Sequence, residues 1–486
     1  MELGLFLPEL VLAGTAVAVI LLDLFIRRKL LLTVVSIAGL AVAAGFTIGM
    51  LGGSPQAIFN NMLAVDNFAL FFKLLFLFIA ALVILASVDY VSRFASFHGE
   101  YHALLLMATL GMMLMAATID LISIFVALEL TAISFYILVG FLKDRKSTEA
   151  SLKFILLGAI ASAVLLYGMA LTFGFTGKTQ LMEIAQVVQG MSPEGLLASP
   201  GLILGMVLLV AGFGFKIAAA PFQMWLPDVY EGAPTPVTLY LSVGSKAAGF
   251  ALILRVFYSA FGLPEVLSLD WGMIFAVLAA ISMTLGNIIA IQQTNIKRML
   301  AYSSIAHTGY LLIGLAVVGL SPAADILGQS SLLFYVVAFT LADLAAFIAV
   351  IAISGKLNSD LIKDYAGMGK RSPLLALALT LSLISLIGLP PTAGFIAKFY
   401  IFTGAVGNSL LWLVIVAVIN SVVSAYYYLR VVKVMWLGEP LQEGGLPAPL
   451  ALRLALAVSS LGILVLGIAP AFIMRLTEMA TRMFGS

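Results

Sequence analysis

Apolar stretches of about 20 residues recur along the whole chain, and a helix of that length is what crosses a hydrocarbon core of roughly 30 Å. Fourteen are readable, near 4–26, 30–51, 68–90, 101–118, 121–142, 149–174, 200–220, 236–259, 271–292, 300–320, 326–354, 373–406, 410–436 and 450–472. Lipid cannot satisfy an open backbone N–H or C=O, so only helices or a closed barrel can span it. Continuous blocks of this length are not the alternating ten-residue strands of a barrel. The expected fold is therefore an all-α integral membrane protein with about 14 transmembrane helices. Hydrophobic residues make up 63% of the 486 positions and charged ones 10%, against about 45–50% and 25% in soluble domains. No polar stretch is long enough for a soluble domain, and a net charge of +2 gives no grip on nucleic acid.

Other exclusions follow from the rare residues. Without cysteine there is no disulfide, no thiolate-held iron-sulfur cluster and no reactive thiol, and three histidines leave little for haem or zinc. The chemistry is expected to need no cofactor bound by this chain. The first apolar stretch follows an acid, Glu2, and precedes Arg27, Arg28 and Lys29, the reverse of a signal peptide.

Lys and Arg gather on the cytoplasmic side of membrane proteins. The loops and span ends on the Arg27 side hold 16 of them, including Arg28, Arg93, Lys143, Lys297 and Arg430, and the opposite side holds three, Lys178, Arg475 and Arg482. This asymmetry predicts both termini on the outer side. Six basic residues remain inside spans: Lys73, Lys153, Lys216, Lys246, Arg255 and Lys398. Lys73 and Arg255 lie near span ends, where long side chains are expected to snorkel to the interface. The other four are read as lying deeper, with one acid, Glu129, in the fifth span. Ionised and facing lipid, four central lysines would cost roughly 10–14 kcal/mol, as much as the stability of a typical domain. They must face protein, water or one another, and Asp343 offers a second acid. A desolvated lysine beside a movable carboxylate has a pKa that can shift either way, which suits a proton relay.

Two spans carry breaks next to these lysines. Lys216 precedes AAAPFQMWLPD and Lys398 follows SLIGLPPTAGFIA, and proline and glycine interrupt a helix there. Such breaks persist in membranes only where they line a cavity or contact protein. They fall in the seventh and twelfth spans, and an odd offset of five inverts the second unit, the arrangement of secondary transporters. Helices 4–8 and 9–13 are thus expected as two inverted five-helix repeats with discontinuous helices 7 and 12. The corresponding domains are residues 1–100, 101–260, 261–440 and 441–486. His307, in the tenth span, is the counterpart of Glu129 and a candidate relay member. His98 and His102 in HGEYH have the spacing of a zinc pair but lack a third ligand nearby. Gln292, Lys297 and Arg298 form a polar turn, and PDVYEGAPTP is expected to do no more than terminate two helices.

The stretches ALELTAISFY, SLKFILLGAIASA, FGFKIAAAPFQMWLPDVYEGAPTPVTLYLSVGSKAAGFA, NIKRMLAYSSIAHTGY and GLPPTAGFIAKFY occur in order between residues 100 and 430. They resemble the antiporter-like membrane subunits of respiratory complex I, which are similar in turn to cation/proton antiporter subunits. The resemblance implies a proton-translocating subunit in a bacterial inner membrane, with Glu129 and Lys216 a paired acid and base, Lys153 their modulator, Lys246 a connecting base, His307 part of a central axis and Lys398 the terminal base. It implies flanking antiporter-like subunits and small quinone-proximal membrane subunits as partners, with NADH, FMN, iron-sulfur clusters and quinone held elsewhere in the complex. The rival implication is a subunit of a multisubunit sodium/proton antiporter. Gln223 stands where many relatives have His, Leu226 where Thr is common, Ala397 for Gly, and Asp343 for a neutral polar residue. The chain ends soon after the fourteenth span, without the long lateral helix of the largest such subunit, so a smaller one is expected.

Overall fold

The computed structural model describes residues 2–26, 29–91, 97–191, 199–261, 271–320, 326–440 and 444–481. Arg27, Arg28, Arg93 and Arg482, counted in the loop charges, lie outside them. Each predicted apolar stretch contains helix: α1 (Leu7–Asp23), α2 (Leu30–Gly49), α3 (Asn67–Ser87), α4 (His98–Ala117), α5 (Leu121–Val139), α6 (Arg145–Thr176), α7 (Pro200–Lys216), α8 (Thr235–Phe261), α9 (Trp271–Ile291), α10 (Ile296–Leu320), α11 (Ile326–Leu357), α12 (Pro373–Ile387), α13 (Leu411–Leu437) and α14 (Leu450–Ile468). Eleven are long and apolar enough to cross a membrane among the described residues, while α1, α7 and α12 are shorter. Aspartates begin several of them. Asp66, Asp120 and Asp144 accept backbone N–H groups in the first turns of α3, α5 and α6.

Burial separates inner from outer helices. In α8 and α11, 94% of the most apolar window is buried, against 33% in α13 and α14. Glycine permits close crossings: a Cβ on Gly286 of α9 would lie 2.6 Å from the Ala306 nitrogen of α10. The outer helices turn isoleucine, leucine and valine outward, as Ile281, Ile288, Ile419 and Val422 do.

Between α2 and α3 lies a β-hairpin, β1 (Gln56–Ile58) against β2 (Leu63–Val65). It bridges to Thr118, and Ile119 donates to the Met62 carbonyl, so the hairpin seals the end of the bundle where α3 begins and α4 ends. Short residues with positive φ at Asn60 and Asn61 make its turn, a local signal that apolar periodicity does not register.

The snorkelling expected of Lys73 and Arg255 is not what the fold shows. Lys73 is 1% exposed and its Nζ lies 2.6 Å from Glu9 Oε1 of α1, itself 1% exposed. Arg255 is equally enclosed and pairs with Asp66. Both acids lie outside the spans' central stretches, so charge-by-span reading passed over them. Removing one partner of a buried pair strands the other, at a cost of about 3–5 kcal/mol. Lys73→Met is therefore expected to lower stability by that order, and Glu9→Leu/Lys73→Met to recover most of it, as read by thermal unfolding in detergent.

Candidate functional site

Both predicted breaks are present. α7 ends at Lys216, the chain passes through a cis Ala220–Pro221 bond, and helix resumes at Leu226–Gly232. α12 ends at Ile387, Gly388 takes φ +88°, a cis Pro390–Pro391 bond follows, and the second limb runs over Ala393–Gly407. The twelfth span is thus two short helices, not one. Three backbone groups freed at the first break find side-chain partners: the Phe215 carbonyl accepts from Trp225 Nε1 at the far side of the break at 3.0 Å, the Ile217 carbonyl from Thr308 Oγ1 of α10 at 2.9 Å, and Ala220 N donates to Ser282 Oγ of α9 at 2.9 Å. At the second break the partner is Lys398 itself. Its Nζ donates to the Leu386 and Ile387 carbonyls at 3.2 and 2.8 Å and to Ser421 Oγ at 2.8 Å, with the Tyr310 ring centre 4.4 Å away. A lysine at a helix C-terminus also meets the negative end of the helix dipole.

Lys216 is placed differently. Among the described residues it makes no hydrogen bond and has no carboxylate oxygen within 4.0 Å. It borders a cavity of about 20 Å³ with Thr131, Phe135, Trp225 and Ser245, room for roughly one water. Glu129 is not in contact with it. The Glu129 carboxylate accepts from Ser162 Oγ at 2.5 Å, and its charge acts on Lys216 from beyond ion-pair distance. The expected Glu129–Lys216 pair is therefore a long-range one in this structure, because the Ser162 hydroxyl on α6 holds the acid.

Ser245 joins the Lys216 cavity to the next base, its chain neighbour Lys246. A π-helical turn, Leu241–Ser245, interrupts α8 immediately before Lys246. Lys246 Nζ donates to the Ser304 carbonyl at 2.5 Å and to the Ser304 hydroxyl, and it lies 5.4 Å from the Phe339 ring centre. Asp343 on α11, 1% exposed, is close enough for its charge to act on this lysine. One turn beyond Ser304, His307 has Nδ1 3.0 Å from Tyr335 Oη and Nε2 3.4 Å from Tyr428 Oη. Glu129, Lys216, Lys246, His307 and Lys398 thus follow one another across α5, α7, α8, α10 and the second limb of α12.

Lys153 does not belong to that line. It was expected deep in its span, but it lies two turns into α6, which begins at Arg145, with its side chain 43% exposed. Its Nζ is 2.9 Å from Glu149 and 3.0 Å from Asp228. Asp228 and Glu231 also hold Arg298, at 2.7 and 3.0 Å, and Lys297 donates to the Glu231 and Ala233 carbonyls at 2.8 Å each. The PDVYEGAPTP segment thus does more than terminate helices: it carries two acids that line a 290 Å³ opening with Lys146, Glu149, Lys153 and Arg298. His102 is engaged too, Nδ1 2.8 Å from the His98 carbonyl and Nε2 3.2 Å from Thr33 Oγ1.

Sequence reasoning about charge passed over the neutral members, Ser162, Ser304, Tyr310, Tyr335, Ser421 and Tyr428. For α10 a signal was present: Ser304, His307 and Thr308 recur at the spacing of one helix face.

A bundle of apolar helices with two interrupted spans, and a succession of bases from one interruption to the other, defines an ion-translocating membrane protein of the antiporter-like class. The sequence model of the family described as NADH:quinone oxidoreductase/Mrp antiporter, TM matches residues 117–424. NADH-quinone oxidoreductase subunit N of Dehalococcoides mccartyi is 52% identical, over 99% of each chain. The protein of the same name from Trichlorobacter lovleyi is 46% identical, over 99% of this chain and 97% of its own. A chain of respiratory complex I from Thermus thermophilus, solved with bound aureothin, superposes with a TM-score of 0.80 at 33% identity, over 96% of this chain and 98% of that one. The chain belongs to the NADH:quinone oxidoreductase/Mrp antiporter transmembrane family.

Asp228 lies in a connecting helix outside the spans, and its ionisation can be followed by pH. Burial raises its carboxyl, but the hydrogen bonds and charges of Lys153 and Arg298 outweigh this and hold it below its ordinary value of 3.8. A depressed folded-state pKa contributes stability above the unfolded value, lost as pH falls through the folded one. The stability advantage of the parent over Asp228→Asn is expected to be full above about pH 5 and to shrink below about pH 4, measured by unfolding across that range.

Proposed function

We propose that this chain is a redox-inactive, proton-conducting membrane subunit of a bacterial NADH-quinone oxidoreductase, coupling quinone reduction elsewhere in the complex to proton movement. The observation that carries this is the succession of Glu129, Lys216, Lys246, His307 and Lys398 from helix to helix, the last three buried and interleaved with Ser304, Tyr335 and Tyr428. Lys153, with Asp228 and Arg298, forms the charged opening from which protons reach Lys216. NADH, FMN, iron-sulfur clusters and quinone belong to partner subunits. Flanking antiporter-like subunits and the small quinone-proximal membrane subunits are the neighbours in the inner membrane, and the loop charges favour both termini outside.

Helices α4–α8 and α9–α13 act as two oppositely oriented units, supported by the breaks of α7 and α12 five helices apart. A charge change near Glu129 alters its hold on Lys216, the base of this line that makes no hydrogen bond among the described residues. A proton leaving Lys216 moves by way of the cavity beside Ser245 to Lys246, and then through hydroxyl and imidazole groups to Lys398. Moving a proton against 100 mV requires about 2.3 kcal/mol. Two pKa units, about 2.7 kcal/mol, are of that size.

In the intact complex reconstituted in vesicles, Lys216→Ala and Glu129→Ala are each expected to lower protons moved per electron while electron transfer to quinone persists. Undiminished stoichiometry in both would sink the assignment. Proton movement driven by a sodium gradient, with no electron donor present, would instead favour the sodium/proton antiporter.

A further inference from the structure

Two buried ion pairs stand outside the line from Glu129 to Lys398, and one of them is on the helix that carries Lys246. Arg255, nine residues further along α8, directs Nη1 to Asp66 Oδ2 at 2.5 Å and Nη2 to Asp66 Oδ1 at 2.9 Å. Its Nη2 and Nε also donate to the Ala116 carbonyl at the end of α4, at 2.8 and 3.3 Å, and its guanidinium carbon lies 4.7 Å from the Phe68 ring centre. Arg255 and Asp66 are 3% and 7% exposed. Burial pushes the Asp66 carboxyl up, but Arg255, the Ala69 N–H and the more distant Lys73 hold it below the ordinary carboxylate range.

Nine residues at 3.6 per turn are two and a half turns, so Lys246 and Arg255 leave α8 on opposite sides. Lys246 meets α10 and α11, while Arg255 meets α3 and α4. A guanidinium fork on two carboxylate oxygens fixes orientation as well as distance, unlike a point charge. The π turn at Leu241–Ser245 lies between Lys246 and the start of α8, a bulge of the kind that shifts the phase of a helix. An ion pair kept for stability alone is a weak device, because apolar residues of similar size serve as well.

We propose that Asp66 and Arg255 are positioning residues for Lys246, fixing the rotation of α8 about its axis so that the ammonium meets Ser304 and the Asp343 side. The assignment rests on Lys246 being a relay member, as argued above. Asp66→Asn keeps an N-cap oxygen for α3 and removes the charge; Arg255→Lys keeps the charge and removes the fork. In the reconstituted complex both are expected to lower protons per electron with electron transfer retained. Added to Lys246→Ala, neither should cause a further loss, since a misdirected lysine and an absent one are the same defect. Parental stoichiometry in an assembled variant, or losses that add to that of Lys246→Ala, would overturn the proposal. So would failure of both variants to assemble, which would assign the pair to folding alone. Normal pumping by Lys216→Ala would bring down the relay itself, whereas normal pumping by Asp66→Asn beside a defective Lys216→Ala removes only the positioning role.

Discussion

Lipid cannot solvate an ammonium group, so each lysine in the interior of this bundle has to be solvated by the protein. That requirement explains much of the interior. Lys398 is surrounded by the carbonyls of a broken helix, Lys246 by a carbonyl and a hydroxyl from one turn of α10, and Lys73 by a carboxylate from α1. In each case the acceptor comes from another element, or from the far side of a break, so the charge also draws elements together. Lys216 is the exception, with a water-sized cavity in place of fixed acceptors.

The helix breaks and the lysines belong to the same arrangement. An unbroken helix has no free carbonyls at mid-membrane, and interrupting α12 creates acceptors where Lys398 needs them. At α7 three of the freed groups are taken by Trp225, Thr308 and Ser282, and Lys216 bonds to none of them. The two breaks are alike in sequence logic and unlike in chemistry: one holds its lysine and the other leaves it free to respond.

Spans, the interrupted helices and the deep bases Lys216, Lys246 and Lys398 were legible from apolar block length and from proline beside lysine. Those signals are local and strong, since a charge in an apolar run has few structural explanations. Lys153 was misplaced because its counter-ions, Glu149 one turn back and Asp228 on a distant segment, hold it at a charged opening, and the second of these contacts is made only by the fold. The partners of Lys73 and Arg255 were illegible for a different reason. Glu9 and Asp66 are ordinary residues at helix starts, and only the packing of α1, α3 and α8 makes them counter-ions. Hydroxyl contacts such as Tyr428 to His307 depend on which faces meet, which one sequence does not state.

The surroundings of Lys398 can also be counted in donors. A protonated amine offers three N–H groups, and three acceptors are in place: the carbonyls of Leu386 and Ile387 and the hydroxyl of Ser421. The neutral amine has only two N–H groups, so one acceptor is left unmatched when the proton departs. Ser421 already donates its own hydrogen to the Ile387 carbonyl at 2.8 Å, and cannot supply a second to Leu386. The three acceptors thus match the donors of the charged form, and a neutral Lys398 would leave one of them, a carbonyl of the α12 joint or the Ser421 hydroxyl, without a donor.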